Sequence, residues 1–303
     1  GAANIMIGQA DIVVAGGMEN MSQTPHYLDA RNGTKFGDII TLDGISKDGL
    51  LDVYNKVPMG NCAEICAKEH NISREDQDAF ALASHQKAKQ AIENGYFKKG
   101  ILPIEINETF INEKNKRATR NYIIDTDEGV RADTTIEALG KLKPAFALNG
   151  SVTAGNSSQT SDGSSFVMVM SEKMMNSLGL KPIGRLVNCA SAGVHPRIMG
   201  IGPIAAVPKV LKQAGMKLDQ IDLFELNEAF ASQSLAVIRE LNLNPDIINV
   251  NGGAIALGHP LGCSGTRIST TLLHLMEDKN AKYGLATMCI GLGQGIATVF
   301  ERP

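Results

Sequence analysis

The last third of the chain places a histidine where the backbone must turn sharply. His259 lies in NGGAIALGHPLGCSG, residues 251–265, between Gly258 and Pro260. Glycine permits positive φ and proline fixes φ, so such a loop can aim an imidazole at one point. We interpret His259 as a general base or an oxyanion donor. The alternative is a structural histidine that hydrogen-bonds a loop carbonyl.

A second reactive side chain, Cys289, precedes a segment in which glycine stands at 291, 293 and 295. The pattern favours a thiol that works as an acid or base, with bare N–H groups nearby to hold an oxyanion. The alternative is a buried core cysteine before a tight turn. A dinucleotide-binding loop is excluded, because Ile296 stands where the third glycine is required and a strand follows instead of a helix.

The elements around these residues predict where they lie in the fold. Strands are predicted at residues 221–226, 247–250, 285–290 and 296–301, and a helix at 228–241. Asn227, the His259 loop and Cys289 each follow or end one of these strands. Ligands in open α/β sheets lie at the carboxyl ends of strands, so we expect the three side chains to converge. Alternating strands and helices predict an α/β layer with a partly parallel sheet.

Several polar residues are predicted to cap helices. The expected caps are Asn227, Ser264, Asn61 with Glu64 in a capping box, and Ser73 with Asp76. For Asn227 the alternative to a cap is a role in holding a water.

Composition limits the class of partner. The chain has 303 residues, a net charge of −3 and a hydrophobic content of 43%, so it can build real cores and gives no electrostatic case for nucleic acid or an anionic membrane. No apolar run approaches the roughly 18 residues of a membrane span. Five cysteines form no secreted framework, which favours a reducing compartment, and we expect the cytoplasm. Cys62 and Cys66 lack histidine partners, so no metal is expected.

Two further segments and a weak internal repeat complete the predicted organisation of the chain. Residues 18–57 form a long irregular connection, and residues 101–125 alternate as a hairpin whose tip carries NEKNKRATR. A helix followed by DIVVAGG resembles a helix followed by LATMCIGLG, which suggests two related halves.

Taken together and in order, eight motifs resemble the thiolase family of acetyl-CoA C-acyltransferases. The motifs are AGGMENMS, VPMGNCAE, KLKPAF, VTAGNSSQTSDG, MGIGP, NEAFA, NGGAIALGHPLGCSG and MCIGLGQG. The resemblance implies two related βαβαβ halves in α-β-α-β-α layers, plus an inserted loop domain. The implied boundaries are 1–30 and 147–180 for the first half, 31–146 for a loop domain covering CoA, and 181–303 for the second half.

The resemblance also implies roles. Thiolases cleave a 3-ketoacyl-CoA with CoA, or condense two acyl-CoA molecules, through an acyl-cysteine. Cys289 resembles the acid/base cysteine, and His259 the residue that activates the nucleophile and helps hold a thioester oxyanion. Asn227 resembles the residue that anchors a water in that oxyanion hole, and the Gly291 N–H half of a second hole. Positions matching CoA contacts are Arg131, Phe146 and Ser158, and those matching pocket walls are Met59 and Met199.

No cofactor is implied beyond the substrates CoA and acyl-CoA, and a homodimer or homotetramer is expected. By the family pattern, the acyl-carrying cysteine would precede Gly1, so we expect an incomplete first half, exposed apolar surface and no acyl transfer by these 303 residues. Pro58 replaces a histidine common in acetoacetyl-CoA-specific members, which argues against narrow short-chain specificity.

The sequence leaves one structural and two functional alternatives open. The hairpin at 108–125 is longer than in typical members. It either reaches the adenine end of CoA through its basic residues or forms a solvated tip; these residues are Lys114, Lys116, Arg117 and Arg120. A ketoacyl synthase would carry histidine where Cys289 stands, which argues against that class. A non-catalytic CoA-binding or scaffold protein of the same fold is the other alternative.

Overall fold

The computed structural model describes residues 1–303. The strands are β1 (Ile12–Asn20), β2 (His26–Leu28), β3 (Thr41–Asp43), β4 (Leu51–Asp52), β5 (Val57–Pro58), β6 (Ile104–Ile111), β7 (Arg117–Ile124), β8 (Asp162–Met170), β9 (Arg185–Gly193), β10 (Leu223–Leu226), β11 (Tyr283–Ile290) and β12 (Gln294–Glu301). The α-helices are α1 (Ala2–Met6), α2 (Met59–Glu69), α3 (Arg74–Glu93), α4 (Ile136–Gly140), α5 (Glu172–Ser177), α6 (Gly202–Ala214), α7 (Ala231–Glu240), α8 (Ala254–Leu257) and α9 (Leu261–Lys279). None of the helices is both long and apolar enough to span a membrane.

The second half is built on a four-stranded sheet with the order β10-β11-β12-β9. β10 runs parallel to β11, and the other neighbours are antiparallel, which confirms the expected partly parallel sheet. Phe224 and Leu226 of β10 lie in a core cluster with side chains of α6 and α7, whereas Leu223 packs against α9. Successive strand residues point to opposite faces, so this alternation covers both sides of the sheet.

Helix α9 lies between the two sheets of the molecule. On one side it packs on β10 and β11, and on the other it packs on the antiparallel pair β1–β8. Burial alternates along β1 and β8, so one face of this pair meets α9 and the other is exposed. Val14, Met18, Phe166 and Met168 lie on that exposed face, each more than half exposed. The expected exposed apolar surface is therefore present.

The hairpin predicted at residues 101–125 is confirmed as β6–β7, paired in register from Ile104 with Ile124 to Ile111 with Arg117. Its Arg120 donates to Glu108 at 2.7 Å and lies over the rings of Phe110 and Tyr122. The Arg120 guanidinium is thus engaged within the hairpin itself.

Three local predictions were wrong, and in the first of them a side chain expected to cap its own helix has a distant partner. Helix α2 begins at Met59 after Pro58, not at Asn61, and no side chain caps it. Glu64 instead accepts the backbone N–H groups of Ser151 and Val152 at 2.9 Å. Ser73 does cap α3 by accepting the Asp76 N–H, as expected.

The other two corrections concern the segments on either side of α8. Residues 247–250 form no strand, because a 3₁₀ turn at Pro245–Ile247 leaves only an isolated bridge between Ile248 and Phe224. Ser264 does not cap α9, which begins at Leu261 after Pro260.

Candidate active site

His259 is held on three sides in the loop between α8 and α9. It follows Gly258, whose φ of 89° lies in the region that favours glycine. The His259 backbone N–H donates to Ser161 Oγ at 3.2 Å, and its Nδ1 lies 2.6 Å from Ser264 Oγ. Its Nε2 lies 3.2 Å from Nδ2 of Asn227. The sequence-based expectation that this loop aims an imidazole at a fixed point is met.

The hydrogen bonds select one tautomer of His259. Ser264 Oγ donates to the carbonyl of Pro260 at 2.9 Å, so it accepts the proton on Nδ1 of His259. Nε2 is then the unprotonated nitrogen and accepts from the amide of Asn227. Burial lowers the pKa of His259 to about 4, because a charged imidazolium would lose its hydration. The ring is therefore neutral at physiological pH, with its basic nitrogen facing Asn227.

Asn227 does not cap the helix that follows it. Helix α7 begins at Ala231, with Phe230 as its N-cap. The Asn227 N–H instead donates to the Thr287 carbonyl of β11 at 3.0 Å, and its carbonyl accepts from Gln233 Nε2 at 3.1 Å. Its backbone is thus fixed at the carboxyl end of β10, and its side chain reaches the histidine loop.

Cys289 lies near the end of β11 in an apolar cluster. The cluster comprises Met59, Cys62, Met199, Ala229 and Cys289. Burial raises the pKa of the Cys289 thiol to about 12, so the resting side chain is a protonated thiol. The structure therefore brings together Cys289 and the two methionines predicted as pocket walls.

Gly291 lies beside the same pocket. A Cβ built on Gly291 would lie 3.3 Å from the terminal methyl of Met59. The turn continues through Leu292 and Gly293, both with positive φ, before β12 begins. The glycine segment predicted after Cys289 thus forms a tight turn between β11 and β12.

Two of the three predicted CoA contacts flank the segment after Asn227. The Ser158 N–H donates to the Ala229 carbonyl at 2.9 Å. The half-buried ring of Phe146 packs edge-on against Phe230, with centroids 6.1 Å apart. Both residues are therefore adjacent to the segment that follows Asn227.

Arg131 lies apart from these two, on an exposed loop. Its backbone N–H donates to Nδ1 of the buried His85 at 3.1 Å. No hydrogen bond holds its guanidinium, which is free to meet an anionic group. Gln159 connects this loop to α8, because its Nε2 donates to the carbonyls of Gly129 and Ile255 at 2.8 and 3.1 Å.

Sequence reasoning missed the residues that support this site. Ser161, Gln233 and Glu228 were not singled out, and Ser264 was assigned to a helix cap. The only local signal for Ser264 is its position five residues after His259, within the first turns of α9. Ser161 is 98 residues away in sequence from the N–H that it accepts, so no local pattern could have identified it.

The comparisons with known proteins agree with this architecture. Residues 1–173 match the family model described as "Thiolase, N-terminal domain", and residues 180–302 match "Thiolase, C-terminal domain". Because these matches cover nearly the whole sequence, the chain belongs to the thiolase family, and its fold is the thiolase fold.

Individual relatives are similar over almost the whole chain. The "3-ketoacyl-CoA thiolase" of Bacillus subtilis (strain 168) is 48% identical over 99% of this chain and 74% of its own length. An "Acetyl-CoA acetyltransferase" of Pseudomonas aeruginosa is 50% identical over 100% of this chain and 75% of its own. The structure of human mitochondrial 3-ketoacyl-CoA thiolase in complex with CoA matches with a TM-score of 0.93 and 42% identity, over 99% of this chain and 73% of that one.

Proposed function

We propose that the site takes part in acyl-CoA C-acyltransfer: thiolysis of a 3-ketoacyl-CoA by CoA, or the reverse Claisen condensation of acyl-CoA. The observation that carries the proposal is a neutral His259 paired with Asn227, whose backbone N–H bonds to β11, the strand that bears the protonated Cys289 in its apolar cluster. Relatives named 3-ketoacyl-CoA thiolase and acetyl-CoA acetyltransferase support the same reaction class.

Cys289 is the proposed acid/base. In the thiolytic direction, cleavage of the Cα–Cβ bond leaves an enolate, and the protonated thiol gives its proton to that α-carbon. In the condensing direction the Cys289 thiol first gives its proton to the CoA thiolate released when the acyl-cysteine forms, and the resulting thiolate then removes the α-proton before the new carbon–carbon bond forms. Its apolar surroundings, with Met59 and Met199 as walls, keep water from competing for the proton.

His259 and Asn227 are the proposed polar partners of the thioester. Nε2 of His259 carries the lone pair, so it can take the proton of a thiol nucleophile. Once protonated, the same nitrogen donates to a developing oxyanion. The second N–H of Asn227 Nδ2 has no acceptor within the protein and is available for a water in this oxyanion hole. The Gly291 N–H is the proposed donor of the second hole.

The proposed CoA contacts are Arg131, Phe146 and Ser158, with residues 31–146 as the domain that covers CoA. The guanidinium of Arg131 has no hydrogen-bond partner in the protein, so it can pair with a phosphate group of CoA. Phe146 and Ser158 lie next to residues 229–230, where the pantetheine arm would approach the thiol.

We also propose that none of the five cysteines carries the acyl group. Cys62 and Cys66 are buried on α2, and neither thiol is hydrogen-bonded to His259, the proposed base for a nucleophile. Cys189 is exposed on β9, at the edge of the sheet opposite β10, and the sulfur of the buried Cys263 faces Gly163 of β8. These 303 residues are therefore expected to bind acyl-CoA without transferring its acyl group.

Affinity labelling with bromoacetyl-CoA tests this function without requiring turnover. The Cys289 sulfur would displace bromide from the methylene, forming a thioether and releasing the thiol proton to solvent. We expect one adduct on Cys289, found by intact-mass and peptide mass spectrometry, slowed by CoA, and absent from Cys289→Ser. Cys263→Ser is the matched control and should label normally.

Acetyl-CoA gives the complementary measurement, and we expect no acetyl adduct on the protein. Acetylation of any of the five cysteines would overturn the proposal about the acyl carrier. CoA binding by calorimetry without Cys289 labelling would favour the non-catalytic CoA-binding alternative. Labelling that CoA does not slow would contradict a CoA-directed site.

A further inference from the structure

A buried carboxylate lies beneath the two catalytic loops. Glu228 is 2% exposed and follows Asn227 directly. Its Oε2 accepts the Ser84 hydroxyl at 2.6 Å and the Ile255 N–H at 3.2 Å, and its Oε1 accepts Nδ2 of Asn249 at 2.8 Å. The three donors come from three separate parts of the chain. The Glu228 carboxylate, on the segment after β10, therefore joins α3, the turn before α8 and α8 itself.

These contacts reach Asn227 through Asn249. The Oδ1 of Asn249 accepts the Leu226 N–H, and its Nδ2 donates to the Leu226 carbonyl, both at 2.8 Å. Leu226 is the residue before Asn227, so the amide of Asn249 fixes the last peptide of β10. Glu228 in turn fixes the amide of Asn249.

The same carboxylate fixes the approach to His259. Ile255 lies in α8, the short helix that leads into Gly258 and His259. The Ser84 hydroxyl, which donates to Glu228, also accepts the Gly253 N–H at 3.1 Å. A Cβ on Gly253 would overlap the Glu228 carboxylate, so glycine is required for this close approach.

Helix α3 extends this network to the predicted CoA contact. Ser84 binds Glu228, and its neighbour His85 accepts the Arg131 N–H. Successive residues of one helix therefore hold the catalytic loops and the Arg131 loop at a fixed separation.

We propose that Glu228, together with Ser84, is a positioning residue that sets Asn227 and His259 relative to each other and to the Arg131 loop. This inference rests on the proposed function, because the experiment that tests it measures how a bound thioester is placed. Each donor points into the carboxylate, so an amide in its place would set an N–H against another N–H. The network requires an acceptor on both oxygens.

The test compares Ser84→Ala and Glu228→Gln with the wild-type protein in bromoacetyl-CoA labelling of Cys289. The matched control is Glu225→Gln, the same substitution at a fully buried carboxyl on β10 that makes no hydrogen bond to either loop. We measure the labelling rate at saturation, the concentration for half-maximal rate, CoA affinity by calorimetry and Tm.

A displaced thioester should slow the saturated labelling rate about tenfold in both variants, while the half-maximal concentration changes less than about twofold. Glu225→Gln should label as the wild type does. Ser84→Ala keeps the test usable if Glu228→Gln fails to fold, since it removes one hydroxyl and leaves the carboxylate.

Wild-type saturated rates in folded Ser84→Ala and Glu228→Gln would overturn the positioning role. A purely structural role would also overturn it, and it would appear as a lower Tm and a smaller labelled fraction with an unchanged rate constant. Failure of the proposed function is distinct, because the wild-type protein itself would then show no CoA-sensitive label on Cys289.

Discussion

Two β-sheets pack against opposite sides of α9, and they differ in what covers their other face. The four-stranded sheet is covered by α6 and α7, and its side chains supply the largest buried core cluster. The outer face of β1–β8 is exposed and apolar. Every candidate acid/base side chain lies at the end of the covered sheet or in the loops beside it. A site that depends on fixed hydrogen bonds and low hydration is thus built where the packing is complete.

The largest expected effect comes from truncating an aromatic side chain in each sheet. Phe224→Ala removes a side chain that is 1% exposed, and we expect a loss of about 3–5 kcal/mol in the free energy of unfolding. Phe166→Ala, on the exposed face of β8, should cost about 1 kcal/mol or less. Urea denaturation followed by circular dichroism measures both. Equal losses would show that the outer face of β8 is buried in solution.

The second prediction concerns the hydrogen bond that sets the tautomer of His259. Ser264→Ala leaves a buried Nδ1–H without a partner, which we expect to cost about 1–3 kcal/mol. It should also release the ring, so bromoacetyl-CoA labelling of Cys289 slows. Ser177→Ala, which removes an exposed hydroxyl bound only to Met174, is the control. Unchanged stability and labelling in Ser264→Ala would contradict the assigned role of Ser264.

The sequence predicted elements well where a run or an alternation of apolar residues marks a strand. The strands containing Phe224 and Cys289, and the hairpin at 101–125, were found close to their expected positions. Each carries a local run or alternation of apolar side chains that distinguishes it from the neighbouring loops. The end of a strand also marked Asn227 and Cys289 as candidates.

The contacts within the site could not be predicted in the same way. Asn227 meets His259 across 32 residues, and Glu64 meets Val152 across 88. Local rules made Asn227, Glu64 and Ser264 helix caps, because capping is what such residues do when no distant partner competes. Tertiary hydrogen bonds took precedence at Asn227 and Glu64, whereas Ser264 bonds within its own loop, to His259 and the Pro260 carbonyl.

The third prediction uses a buried carboxyl in the covered sheet. Burial, reinforced by the nearby Glu228, raises the pKa of Glu225 well above its usual value, although Arg267 and Lys87 oppose the shift. A carboxyl group whose pKa is raised in the folded state makes its full contribution to stability below its unfolded-state pKa. That contribution is lost as the pH rises through its folded-state pKa. From about pH 5 upward, the wild-type protein should therefore lose stability relative to Glu225→Gln.

Urea unfolding of both proteins across this pH range measures the difference. Glu75→Gln, in the exposed first turn of α3, is the control and should follow the wild-type curve. If the stability difference between wild type and Glu225→Gln is the same at all pH values, the pKa of Glu225 is the same in the folded and unfolded states, and the prediction is wrong.

The smallest expected effect on stability is on the open face of β1–β8. Met168→Thr exchanges an exposed apolar side chain, 60% exposed, for a polar one that suits a strand. The free energy of unfolding should change by about 0.5 kcal/mol or less. Self-association should fall, because exposed apolar patches promote contact between molecules. Light scattering against concentration measures it, with Lys209→Thr on α6 as the control away from the patch. If Met168→Thr destabilises the protein as strongly as Phe224→Ala, the two sheets are equally covered in solution, and the contrast between them fails.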